Sequence, residues 1–419
     1  MKTKLIVMTT LLTALNVLAQ NKVSLQDSIK TALANNPRTQ ANALRLQAAF
    51  EDVAAYKKSK FLPSLSVNYS QSLQNSQNRY AGVSLNMNIF NGFSDIYRIQ
   101  AQECNYKRME ASYNSTDSFM KNTSGQIVGL VADYYLNLVN IRENINFYNT
   151  SLQNLNILLP YSKTAEQKIN IENFIESLQI TIEETQSSLK IAEANYKFVV
   201  NSDVPSATDT LLETSQRILI PQTAEESFGI SLEKSPEILG SKLSLECRKL
   251  NKKADDASAR SPHVDLSLSR GTDFSGAPTT SAMIYISKSF DLGRIGRPDT
   301  EAKNVSAAQL DLDGIIAETK NNLNKNYIRL ESSEKSAQAY EQRYEQSLIK
   351  IQTGLQNVKI ATAEQINILV NLMGNVQGQW SMMNSKKQEV IDLKFSVQRN
   401  IGTLFETNKF EMVKFSNQN

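Results

Sequence analysis

The sequence predicts a mainly α-helical chain with a small β part, built as one structural repeat used twice. Three observations carry this. Gly (15) and Pro (nine) make up under 6% of the 419 residues, where about 12% is usual, so few positions interrupt long elements. Two stretches keep a 4,3 apolar spacing over many turns, the pattern of coiled-coil packing. The prolines and two short alternating runs recur in the same order in both halves of the chain.

Composition also narrows function. One His and two Cys cannot build a zinc site, and a Ser-His-Asp triad would rest on His263 alone. A formal charge of +3 leaves no surplus for neutralising phosphates, so no nucleic-acid partner is expected. No Walker-type loop, GxSxG or HExxH is present, and Asp255-Asp256 sit side by side on a polar helix face. The chain is expected to be no enzyme and to hold no cofactor or metal.

Residues 1–19 read as an export signal. Lys2 and Lys4 precede an apolar stretch, Leu5 to Leu18, and Ala19 supplies the small residue before Gln20. Thr9, Thr10, Thr13 and Asn16 leave that stretch too short and too polar to span a membrane. With no Cys next to the cleavage site, a lipid anchor is not indicated.

The first repeat is read as 20–209 and the second as 210–419. Each opens on a short amphipathic run (Leu25, Ile29, Leu33; Phe228, Leu232) that stops at Pro37 or Pro236. A helix of about 25 residues follows, and Pro63 or Pro262 then starts a strand. In the first repeat Leu65, Val67 and Tyr69 alternate with Ser64, Ser66, Asn68 and Ser70. In the second, Val264, Leu266 and Leu268 alternate with Asp265, Ser267 and Ser269. A return strand follows in each (Val83, Leu85, Met87, Ile89; Ala282, Ile284, Ile286), closing on Phe90-Asn91-Gly92 or Phe290-Asp291-Leu292-Gly293. The hairpins therefore occupy about 63–90 and 262–290.

Strands with one apolar and one small polar face suit a membrane barrel with water inside. A half-buried sheet of a soluble protein shows the same alternation. Four strands cannot close a barrel, since single-chain barrels start at eight, so several chains would have to share one. On that reading Ser64, Ser66, Asn86, Asn88, Ser267 and Ser269 line the pore. Phe61, Phe90, Phe93 and Phe290, at strand ends, form a membrane-interface girdle or are ordinary packing.

The remainder is helical hairpin, about 94–202 and 297–408. One seam runs Ile127, Val131, Tyr134, Leu138, Ile141, Ile145, Tyr148, Leu152, Leu155, Leu159; the other runs from Leu323 and Tyr327 to Leu355 and Val358. Glu334 and Glu341 interrupt the second seam, so that stretch is expected to face water or a partner. Both seams break, near 160–170 and 354–362, and then resume, giving an outgoing arm, a turn and a return arm. Arms of 65–70 residues would be about 100 Å long.

Taken in order, these pieces resemble the TolC-type outer-membrane efflux proteins. The likeness runs from Val23 to about Leu404. It is carried by the duplicated order of Leu62-Pro63-Ser64-Leu65, Phe90-Asn91-Gly92, Ser261-Pro262 and Phe290-Asp291-Leu292-Gly293-Arg294. The resemblance implies a homotrimer in which four strands per protomer make a shared 12-stranded barrel, with the helices forming an α-barrel across the periplasm. It implies location in the outer membrane of a Gram-negative bacterium, in contact with its lipid. It also implies a passive exit duct of a tripartite efflux or type I secretion system, working with a periplasmic adaptor and an inner-membrane transporter. The family's gate lies at the periplasmic helix tips, which places Thr362, Glu364, Gln365 and Asn367 as candidates. Where a second acid would follow, this chain has Asn367 and Ile368. Glu364 is alternatively a plain surface carboxylate, and the whole chain is alternatively a soluble periplasmic coiled-coil adaptor or scaffold.

Other residues carry structural readings. Cys104 and Cys247 are read as two unrelated free thiols in preference to a disulfide. Tyr106, Tyr113 and Trp380 are read as groove-filling core and His263 as structural. Arg294 and Arg297 are read as lipid head-group contacts or a plain helix entry.

Overall fold

The computed structural model describes residues 22–71, 79–113, 124–272, 276–288 and 299–404. The expected signal segment, Phe290, Arg294 and Arg297 lie outside the described residues. Fourteen elements are described: α1 (Leu25–Asn35), α2 (Pro37–Phe61), β1 (Ser64–Gln71), β2 (Arg79–Phe90), α3 (Ser94–Tyr113), α4 (Ser124–Leu158), α5 (Ala165–Val200), α6 (Leu211–Arg217), α7 (Ala224–Lys234), α8 (Pro236–Arg260), β3 (His263–Thr272), β4 (Pro278–Ser287), α9 (Thr300–Gln356) and α10 (Ala363–Ile401). The fold is the mainly helical one expected, with four antiparallel strands in the order β1-β2-β3-β4.

The duplication is visible residue by residue. α1, α2 and β1 start 199 residues before α7, α8 and β3, as Pro37 and Pro236 show. The same local chemistry starts both copies. Ser24 accepts from the backbone N–H of Asp27 and Thr223 from that of Glu226, each satisfying a donor that helix geometry leaves free. Asn36 and Ser235 adopt extended backbone because the next residue is proline, which disfavours helix just before it. The return arms also end alike, in left-handed caps at Asn201 and Gly402. The Asn201 side chain donates to the carbonyl of Asn35 at 2.9 Å. At Gly402 any Cβ would fall 2.0 Å from the carbonyl oxygen of Lys234, the counterpart of Asn35, so only glycine fits.

Contacts divide the chain into two compact units that cut across the repeats. One comprises 22–40, 124–235 and 319–404; the other comprises 41–113 and 236–318. Among the described residues the first unit has two large apolar cores and two small clusters, around Leu323 and Val397 and around Leu330 and Val390. Leu25, Ile29, Val131, Tyr135, Leu138, Tyr196, Leu211 and Ile391 share one large core. Leu155, Leu158, Ile171, Leu178, Ile366, Leu369 and Met373 share the other. Tyr135 is fully buried, yet its hydroxyl is satisfied: it donates to the carbonyl of Val23 at 2.8 Å and accepts from the N–H of Asp209 at 3.1 Å.

Three sequence expectations change or gain detail in this unit and the next. Glu334 and Glu341 stay open to water, with side chains 50% and 37% exposed, but are also paired within the hairpin. They face the return helix α10, where Lys394 lies 3.9 Å from Glu334 and Lys387 2.6 Å from Glu341. Helix periodicity shows one helix at a time and cannot see the lysines opposite. Arm lengths are also unequal: α9 has 57 residues, about 86 Å at 1.5 Å per residue, whereas α10 has 39.

In the second unit, Cys104 on α3 and Cys247 on α8 form a disulfide, correcting the free-thiol reading. Their Cα atoms are 5.5 Å apart, within the range such a bond requires. Both are buried, each 4% exposed. The duplication explains it: the helix after the first hairpin packs along the helix before the second, so a separation of 143 residues becomes a contact.

Candidate pore face and gate

The strand register sorts the sheet into two faces. Leu65, Leu85, Leu268 and Ala282 oppose one another in one row across all four strands, and Met87, Leu266 and Ile284 do so in another. On the opposite face run Ser64, Asn86, Ser267 and Met283, and then Ser66, Ser84, Ser269 and Ser281. All six expected pore residues, Asn88 included, thus share one face. They are tied laterally: Ser269 and Ser281 hydroxyls are 2.7 Å apart, and Asn88 donates to the Asp265 carboxylate at 2.9 Å. Met283 and Tyr285 are the apolar exceptions on this face, as Arg270 is the charged exception among the described side chains of the other.

The apolar face has no cover. Val67 is 76% exposed and Ile286 73%, with Leu65 and Ile284 similar. Contiguous apolar surface of this kind marks a contact with lipid or protein.

A β-bulge between Asn88 and Phe90 shifts the register so that Phe90, not Ile89, opposes Val264 on the apolar face. Strict alternation missed this. Phe61, Phe90 and Phe93 are all exposed at the helix-side ends of the strands, and Phe90 meets Phe93 edge-on at 5.5 Å. Gly92 and Phe93 both have positive φ, which turns β2 into α3. A Cβ on Gly92 would lie 2.1 Å from Ser261, so the Phe-x-Gly pattern reflects a close passage against the end of α8.

Within the first unit, each hairpin turns through a short 3₁₀ segment, Leu159–Tyr161 or Val358–Ile360. Thr164 and Thr362 cap the return helices, and each is followed three residues later by Gln. In the second hairpin the pair is a closed capping box. Gln365 Oε1 accepts from the Thr362 N–H at 2.8 Å, and Thr362 Oγ1 accepts from the Gln365 N–H at 3.3 Å. In the first, Gln167 Oε1 accepts from the Lys163 N–H at 2.9 Å, and its amide nitrogen crosses between hairpins. That nitrogen donates to the Ala363 carbonyl at 2.5 Å and to Asn367 Oδ1 at 3.1 Å. Gln167 is 4% exposed.

The four expected gate residues are therefore brought together but do different things. Thr362 and Gln365 cap their own helix. Asn367 receives the cross-hairpin bond. Glu364 stands exposed in the first turn of α10 and makes no hydrogen bond or ion pair among the described residues. Gln167 was missed by sequence reasoning, although its Thr-x-x-Gln spacing repeats that of Thr362 and Gln365.

Behind the tip, Trp380 stacks on Phe147 with centroids 4.9 Å apart and donates to Asn144 at 2.8 Å, as expected of a core residue. Further along α10, partial burial, then the charges of Asp133 and Glu389, raise the Asp392 carboxyl to about 6. Glu389, held by Lys386 and then Arg329, falls to about 2.

Residues 28–167 match the sequence model of a family described as outer membrane efflux protein. No curated protein matches the chain in sequence. Among solved structures, CusC aligns with a TM-score of 0.65 at 16% identity, over 92% of this chain and 91% of its own; its description concerns folding and transmembrane channel formation. The outer membrane protein VceC of Vibrio cholerae aligns at 0.60 and 16% identity, over 92% and 97%. The MtrE outer membrane channel of Neisseria gonorrhoeae, in its open state, aligns at 0.60 and 15% identity, over 92% and 88%. By the sequence of its first repeat and by the fold of nearly its whole length, the chain resembles the TolC-type outer-membrane efflux proteins.

Proposed function

We propose that the chain is the outer-membrane exit duct of a tripartite efflux or type I secretion system, a passive conduit and not an enzyme. The observation that carries this is the sheet: four strands, polar on one face and uncovered apolar on the other. Four strands cannot close alone. Three copies, the number the family resemblance implies, would supply twelve, with the apolar face toward outer-membrane lipid. Ser64, Ser66, Asn86, Asn88, Ser267 and Ser269 would then line a wide, poorly selective pore. Phe61, Phe90 and Phe93 would sit at the membrane interface.

The helical hairpins extend into the periplasm, where an adaptor and an inner-membrane transporter engage their tips and supply the energy. In the resting state Gln167 bolts the first hairpin to the second, and opening breaks its bonds to Ala363 and Asn367. Glu364 faces the lumen, so threefold symmetry gathers three carboxylates that attract cations.

Membrane fractionation tests the duct. The full-length protein should stay with outer membranes through high salt and carbonate and leave only with detergent. Release without detergent would point to the soluble adaptor reading instead. Planar-bilayer recording tests the gate: divalent cations should block the current from the periplasmic side, and Glu364→Ala should relieve that block. Unchanged block would leave Glu364 a surface carboxylate.

A further inference from the structure

The described ends of α2 and α8 and the start of α3 converge where the helices meet the sheet. Lys60 near the end of α2 pairs with Asp95 at the start of α3, at 3.3 Å. The α8 end passes Gly92 through Ser261. Acids in this region are already held: Asp95 by Lys60, Asp255 by Arg98 at 3.8 Å, and Asp256 by Lys252 at 4.0 Å. Lys57, Lys58 and Arg260 are exposed and have no acidic partner among the described residues. Phe61 is the residue at which α2 ends, four after Lys57, so the ammonium groups of Lys57 and Lys58 branch about one helical turn from the exposed aromatic ring. Arg260 is the last residue of α8, three residues before β3 begins at His263.

We propose that Lys57, Lys58 and Arg260 form a basic collar that binds the phosphate head groups of anionic phospholipid on the helix side of the membrane. This rests on the reading of the sheet as a membrane barrel. The argument is one of height and charge. The apolar face and the Phe61–Phe90–Phe93 cluster fix where hydrocarbon ends, and the next turn of helix outward is at head-group level. Long basic side chains there lay their methylenes along apolar surface and extend their charges to phosphate. The whole chain carries a formal charge of only +3, so a general attraction to anionic membranes is not on offer. Any preference must come from a local surplus, and this junction supplies one. Three copies of the chain would make it a closed ring.

The test uses full-length protein reconstituted in phosphatidylcholine containing a trace of spin-labelled lipid, either phosphatidylglycerol or phosphatidylcholine. The spectra give the relative association of each lipid with the protein surface. A several-fold preference for phosphatidylglycerol is expected, weakened by salt, brought to parity in the K57Q/K58Q/R260Q variant and retained in K57R/K58R/R260K. The amount of motionally restricted phosphatidylcholine reports that the variant is still folded and inserted. Restricted lipid with no head-group preference, or a preference unchanged in the glutamine variant, overturns the collar alone. Absence of restricted lipid of either kind overturns the barrel reading and the collar with it.

Discussion

Removing the bond between Cys104 and Cys247 is the perturbation whose size the structure sets most directly. Reduction frees a loop of 143 residues in the unfolded chain. The chain-entropy relation gives about 5 kcal/mol for a loop of that length, and native disulfides deliver about 2–5 kcal/mol when removed. Because α3 and α8 belong to the unit that carries the sheet, the loss falls there first. Two-state unfolding cannot be assumed for a chain of two units, so local opening is the better readout. Amide exchange in detergent-solubilised full-length protein should show α3 and α8 losing protection in Cys104→Ala, while α4 and α5 change little. Cys247→Ala and the double variant should match the single one, since either removes the same constraint, and their effects should not add. Denatured but unreduced wild-type protein should take up no thiol reagent. Two labelled thiols, or exchange in α3 and α8 unchanged by the double variant, would refute the reasoning.

The remaining predictions concern the tip, the α10 acids and the strand-to-helix turn. Gln167→Glu keeps the capping oxygen but loses the donor that reaches Ala363 and Asn367. Two hydrogen bonds at about 1 kcal/mol each should raise the open fraction of single channels by roughly thirtyfold, and no rise would remove Gln167 from the gate. Asp392, raised above its ordinary value of 3.8 to about 6, binds its proton more tightly folded than unfolded. Stability should therefore be greater below about pH 4 on this account and fall as pH rises toward 6, leaving a cost at neutral pH. Much of Asp392 stays in contact with water, which screens the effect, so only its direction is used. Asp392→Asn should flatten that part of the stability–pH profile; a profile identical to wild type would show that the group carries no such cost. Gly92→Ala meets both a positive φ and the Ser261 side chain, and should lower the thermal midpoint. Adding Ser261→Gly should restore part of the loss, because it removes the Ser261 collision but neither the 2.9 Å approach to the Ala257 carbonyl oxygen nor the backbone strain.

The sequence was legible wherever a rule acts within one element. Alternation placed Ser64, Ser66, Asn86, Asn88, Ser267 and Ser269 on a common face, because side chains two apart in a strand must share one. It failed at Ile89 because a bulge is set by the partner strand, not by the strand that carries it. Helical periodicity found the seams and the open acids Glu334 and Glu341, yet could not see Lys387 and Lys394, which approach them from another helix. The disulfide was hidden for the same reason: 143 residues of chain say nothing until α3 and α8 are known to lie together.

Gln167 shows where the functional content of a duplicated chain is to be sought. Duplication gives both hairpins the same turn, the same threonine cap and the same glutamine three residues on. If both glutamines closed their own boxes, as Gln365 does, the two tips would be joined at this point by nothing polar. In both hairpins the cap uses only the glutamine oxygen, but Gln167 takes the Lys163 N–H, one residue before the cap, and its nitrogen is buried against the other hairpin. A buried amide nitrogen with no acceptor would cost about 1–3 kcal/mol, and the acceptors that remove this cost lie on the other hairpin. The contact between hairpins thus follows from the burial of the Gln167 amide, which has to find its acceptors in Ala363 and Asn367. Gln167→Glu, which keeps an oxygen for the Lys163 N–H and removes the nitrogen that reaches Ala363 and Asn367, should therefore free the tips without touching either helix core.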